Sequence, residues 1–142
     1  CDRRVFDRVA RCPGSCAAVA RPSPLDDTCE DDEAVRCFLD DTGRVARIGK
    51  DIGPGSAGEA VGLYRVSADA IRNADLPTRL GESPPQDYYE DAFDRALRAA
   101  GPDALDMAAI DVTGFACVEV DDADDYAAAR AAVLPPPPPD PA

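Results

Sequence analysis

The chain contains no histidine, and Lys50 is its lone lysine. Its cysteines do not occur as CxxC pairs; Cys12, Cys16, Cys29 and Cys37 are separated by three, twelve and seven residues. Without paired knuckles or imidazole, a structural zinc site is disfavoured. No apolar run approaches the roughly 20 residues that span a bilayer. No basic n-region followed by an apolar core marks a secretory signal, so the expected location is the cytoplasm, where thiols stay free rather than pair as disulfides. Clustered basic residues are also missing. With a net charge of -13, the chain is unsuited to a phosphate backbone or an anionic membrane surface.

What remains is a body of 142 residues, 45% hydrophobic, enough for one domain with its own core. The domain is expected over residues 1–133. Residues 134–142 read LPPPPPDPA, a run that donates few backbone hydrogen bonds and is expected to be a disordered polyproline II tail.

Patterning along the domain alternates. Val5 to Arg11 predicts a short helix stopped by Pro13-Gly14, and Cys16 to Ala20 a small apolar strand. After a polar loop to Glu33, strands are expected over Ala34–Leu39 and Arg44–Ile48, joined by a tight turn at Asp40-Asp41-Thr42-Gly43. Asp51 to Gly58 reads as a Gly/Pro loop. Glu59 to Val66 predicts a central strand, in which Gly62 marks a bulge or a close ligand approach. Ser67 suits the N-cap of a helix over Ala68–Ala74, and a loop follows to Pro85. Asp87 to Ala100 carries Tyr89, Phe93, Ala96, Leu97 and Ala100 at helical spacing, and Cys37 and Cys117 fall on apolar strand patterns as buried thiols. Strands over Ala108–Val112 and Phe115–Val120 and a closing helix over Ala123–Val133 complete a three-layer α/β pattern.

The junction GFACVEVDDADDYAAAR at 114–130 stands out. It places Asp121 at the carboxyl end of a strand, where open α/β sheets hold ligands. Asp122, Asp124 and Asp125 equally suit a helix N-terminus with no chemistry attached.

Four segments, CDRRVFD at 1–7, GRVARIGKDI at 43–52 with GEAVGLYRVS at 58–67, QDYYEDAFDRAL at 86–97 and DVTGFACVEVDDADDYAAAR at 111–130, together resemble the second half of the NTP transferase family. The likeness is greatest to the small cytidylyltransferases that activate phosphocholine or 2-aminoethylphosphonate. The resemblance implies the carboxyl-terminal portion of a Rossmann-like, GT-A-like nucleotidyltransferase fold with a mixed sheet. It implies attack of an acceptor phosphate or phosphonate oxygen on the α-phosphorus of CTP, with release of pyrophosphate, and a magnesium ion (Mg2+) held by Asp2 and Asp121.

By the same resemblance Lys50 contacts the acceptor or the α-phosphate and Glu59 lines the acceptor pocket. Tyr88 and Tyr89, with Asp91 nearby, suit an ammonium group through their ring faces and negative charge. Cys1-Asp2 stands where the family has Gly-Asp, and the glycine-rich triphosphate loop with its arginine does not occur in this sequence. The chain therefore reads as a carboxyl-terminal piece, inactive by itself, whose open sheet edge favours a second copy or an amino-terminal half. Two rival readings are a catalytically silent domain kept for assembly and a sugar-1-phosphate nucleotidyltransferase.

Overall fold

The computed structural model describes residues 1–21, 34–50, 55–117, 120 and 122–133. The expected loop up to Glu33, the start of the Gly/Pro loop, Asp121 and the Pro-rich end lie outside the described residues in whole or in part.

Helix α1, Arg3–Ala10, starts because the Asp2 carboxylate accepts from the Arg4 N–H at 2.8 Å, filling one donor that a first turn leaves unsatisfied. Val5 and Val9, one turn apart, are its buried residues. Removing a side chain such as Val5 from water contributes about 1.5–3 kcal/mol. The Pro13-Gly14 turn leads into β1, Ser15–Ala20, whose small residues are almost all buried. That burial follows from its place inside a mixed five-stranded sheet, whose strand order is Val45–Gly49 (β3), Arg36–Leu39 (β2), Gly58–Arg65 (β4), β1 and Met107–Asp111 (β5).

Strand β1 pairs in parallel with β5, Met107–Asp111, and antiparallel with β4, Gly58–Arg65. Strands β2, Arg36–Leu39, and β3, Val45–Gly49, form an antiparallel hairpin. Asp40 builds its turn, since Oδ1 accepts from Thr42 N at 2.8 Å and from Arg44 N at 3.0 Å. The hairpin bends until Arg44 bridges Ala108 of β5, where it also pairs with Asp106. In the register of β1 and β4, Ala18 opposes Val61, Gly62 and Leu63, a bulge centred on Gly62 at φ 71°. Glycine reaches that left-handed backbone without the Cβ clash of other residues.

Alternate residues of β1 face two cores. Ala17 and Val19 join Val45, Ile48, Phe93 and Met107 on one face, whereas Cys16 and Ala18 join Val5, Val9 and Val112 on the other. The first face is covered by α2, Ala68–Asn73, α3, Leu76–Gly81, and α4, Tyr89–Leu97, the second by α1. Ser67 caps α2 as expected, its hydroxyl accepting from Ala70 N at 3.1 Å. The closing helix α5 spans Ala123–Val133.

Two expectations differ. The segment to Pro85 is not all loop, because α3 forms with Pro77 in its first turn, where a missing N–H costs nothing. Phe115, Ala116, Cys117 and Val120 lie in no strand; Gly114 turns at φ 79°, and the Ala116 carbonyl accepts from Asp2 N at 2.7 Å instead of from a neighbouring strand.

Candidate functional site

Across the sheet, Gly49 of β3, Arg36 of β2, Glu59 of β4 and Ala20 of β1 share one row. Lys50 leaves the sheet from that row, beside the N-terminus of α4. An open cleft of about 420 Å³ lies there, lined by Val35, Lys50, Tyr88, Glu90 and Asp91 among others. The Lys50 ammonium stands 4.1 Å from the centroid of the half-exposed Tyr88 ring, in cation–π contact. Asp91 starts α4, its Oδ2 accepting from Tyr88 N at 2.9 Å, and so faces the cleft while capping the helix.

Glu90 is a lining residue that was not singled out from the sequence. Only 4% of it is exposed, and Tyr64 Oη donates to its Oε1 at 3.2 Å. Burial above all, with the Glu90 charge added, pushes the Tyr64 phenol well above its ordinary pKa. The same two causes push the Cys37 thiol up to about 12. A signal existed in the sequence: Glu90 precedes Phe93 by three residues and Asp94 by four, so all three share the inward face of α4.

The remaining charges of the cleft are matched. Asp94, buried, accepts from Arg47 Nε at 2.7 Å and from Ile48 N at 3.1 Å, and pairs with Arg98 at 3.7 Å. Asp87 pairs with Arg95 at 3.3 Å. Glu90, Asp91 and Lys50 are the other charged residues among the described lining.

Tyr89 does not join Tyr88 in lining this cleft. Its ring stands edge-on to Tyr64 and Phe93, at 5.8 Å from each. Glu59 is not among the lining residues either. Val61 and Leu63 pack on the α1 side of the sheet, and alternation sends Glu59 to that same side. There the Cys117 thiol is raised mainly by burial and further by the negative charges of Asp2 and Glu59, with the chain's amino group opposing them. The structure thus brings Lys50, Tyr88 and Asp91 together on the α4 face, and Asp2 and Glu59 near Cys117 on the α1 face.

Asp2 is held at the N-terminus of α1. Arg4 Nε donates to both of its carboxylate oxygens, at 3.1 and 3.0 Å, and this pairing lowers the Asp2 pKa to about 2. Its backbone bond to Ala116 ties it to the segment that leads toward Asp121, which lies outside the described residues. Among the described residues no group of three or more Cys, Asp or Glu side chains is arranged to hold a metal ion. A magnesium ion at Asp2 would compete with the Arg4 guanidinium for both carboxylate oxygens. No helix among the described residues is long and apolar enough to cross a membrane. Comparison with protein-family models and with curated proteins finds no match.

Proposed function

We propose that the cleft at the start of α4 binds the ammonium end of a small phosphorylated amino alcohol or aminophosphonate, and that the chain is the acceptor-binding part of a CTP-dependent nucleotidyltransferase. The observation that carries this reading is Glu90, a buried carboxylate among the residues that line the same cleft as Tyr88. A buried negative charge whose neighbour is a neutral phenol gains most from a cation in the same cleft. An ammonium on the Tyr88 ring would meet that charge and Asp91 together. Lys50 would then turn to the phosphate or phosphonate, its compact ammonium offsetting charge on oxygen. In the reaction that the four-segment resemblance implies, an acceptor oxygen forms a bond to the CTP α-phosphorus as pyrophosphate leaves. The chain's part is positioning and charge neutralisation. Asp2 and Asp121 are the residues proposed for magnesium, which would supply charge neutralisation at the nucleotide and acceptor oxygens.

A silent assembly domain is the second reading, favoured by the engagement of both Asp2 oxygens with Arg4. Titrating the chain with phosphocholine, 2-aminoethylphosphonate and glucose 1-phosphate, followed by NMR, separates the readings. Shifts at Tyr88 and Glu90 with the two ammonium compounds alone, weakened about tenfold in Glu90→Gln, support the acceptor site; tenfold corresponds to about 1.4 kcal/mol. Equal response to glucose 1-phosphate favours the sugar branch. No response to any probe returns the chain to the assembly reading.

A further inference from the structure

Arginines gather on one helix of this acidic chain, contrary to the expectation that its basic residues are scattered. Arg3, Arg4, Arg8 and Arg11 fall on α1 and its C-cap, and all four are exposed although the net charge is -13. Arg4 is engaged with Asp2. The Arg8 guanidinium lies 4.7 Å from the Phe115 centroid, and its Nη1 donates to the Asp111 carbonyl at 2.8 Å. Arg3 and Arg11 pair with no carboxylate among the described residues. With Ala10 and Phe6, which is 51% exposed, they form the side of α1 turned away from the buried Val5 and Val9.

A second helix lacks a seat. None of the described side chains of α5 is buried, and Tyr126 is 57% exposed. A helix of 11 residues with so little buried is marginal in water, because nucleation costs more than so few turns return. Its start carries the sign opposite to α1. Asp122 and Asp124 are exposed, and no basic side chain among the described residues pairs with either.

We propose that the exposed face of α1 receives α5 of a second copy of this chain, with the two helices antiparallel. That alignment sets the first turn of α5 beside the last turn of α1, where Asp122 and Asp124 meet Arg11. At 1.5 Å per residue the helices are about 12 and 16 Å long, so their remaining turns overlap. Phe6 and Tyr126 come to a similar level, and both lose apolar surface to the contact. Two copies share a negative net charge, but at physiological ionic strength charges farther apart than about 8 Å are largely screened, and the local match governs. An anionic membrane or a nucleic acid is the poorer occupant, since it presents many charges to the acidic remainder of the chain as well. This association does not depend on the proposed transferase activity.

The test is sedimentation of the folded full chain over a concentration series at physiological salt. Expected is a reversible self-association that Arg11→Glu and Asp124→Arg each weaken about tenfold, because like charges then face each other. Mixing the two variants should restore it, since the two altered residues attract and the unaltered helices still match. Restoration also shows that neither substitution merely unfolds the chain, which circular dichroism verifies. Asp103→Arg, the same change of charge at another exposed position, should leave the association unaltered. A chain that stays monomeric, an association that ignores either α1 or α5 substitution, no recovery on mixing, or an Arg11 that instead governs binding to phosphatidylserine vesicles or an oligonucleotide would overturn the proposal.

Discussion

The Lys50 ammonium and the Tyr88 ring, 4.1 Å apart, come from the end of β3 and the start of α4 and meet across one cleft. An internal cation therefore already rests on the ring face proposed for a substrate's ammonium. Lys50→Met should strengthen binding of tetramethylammonium about two- to fivefold, because one cation–π contact of about 0.5–1 kcal/mol no longer competes. The same change should weaken phosphocholine, whose phosphate loses its neutralising charge. Tyr88→Ala should weaken both. Calorimetric titration of the three proteins checks the signs; identical affinities in all would remove Tyr88 from the site.

Asp94 joins α4 to β3 through the Arg47 guanidinium and the Ile48 N–H. Asp94→Ala leaves a buried backbone donor without its partner and should lower stability by about 2–3 kcal/mol. Asp94→Asn keeps an acceptor for Ile48 and should lose less. Urea unfolding of both variants measures the difference, and equal losses would assign the effect to the Arg47 charge pair alone.

Asp2 has a folded pKa of about 2, below its ordinary 3.8, first because of its side-chain bonds with Arg4. A depressed carboxylate pKa gives stability that is present above the unfolded value and lost as pH falls through the folded one. The α1 cap should accordingly persist at pH 4 and fail near pH 2. In Arg4→Ala the Asp2 midpoint should move back toward 3.8, as followed by carboxyl NMR. An unmoved midpoint would mean that the helix N–H groups alone hold the carboxylate.

Gly58 opens β4 against the end of β1. A Cβ there would lie 2.4 Å from the Ala20 carbonyl oxygen and 2.9 Å from Val19 Cγ1. Backbone cannot swing aside as a side chain can, so Gly58→Ala should destabilise by about 1–3 kcal/mol. Gly14→Ala, with open space around it, is the steric control. Thermal melts of the pair decide whether the strand approach is as close as described.

Much of the element order was legible because it is written in short windows. Val5 and Val9 repeat at a helical turn, the Asp40 turn carries its own side-chain acceptor, and Gly62 announces the bulge that the β1–β4 register contains. Helix α3 escaped notice because six residues with a proline carry little periodicity. The stretch around Phe115 has a strand's composition, yet its Ala116 carbonyl bonds to Asp2, and no local pattern encodes that pairing. Lys50, Tyr88 and Asp91 could be singled out by residue type. Their separation from Glu59 could not, because it depends on which face of the sheet each element meets.

The sequence by itself determined the alternation of helices and strands, the excess of negative charge and the capping residues, since backbone preference and side-chain period act within about one turn or one strand. Tertiary structure alone decided that Glu90 is buried, that Lys50 rests on Tyr88, that Tyr89 turns to Tyr64 and Phe93, and that Cys12 and Cys16 share the Val9 carbonyl. Each of these depends on how strands pair and helices pack. A sheet with another strand order would expose Glu90 to water and part Lys50 from Tyr88 with every local preference unchanged.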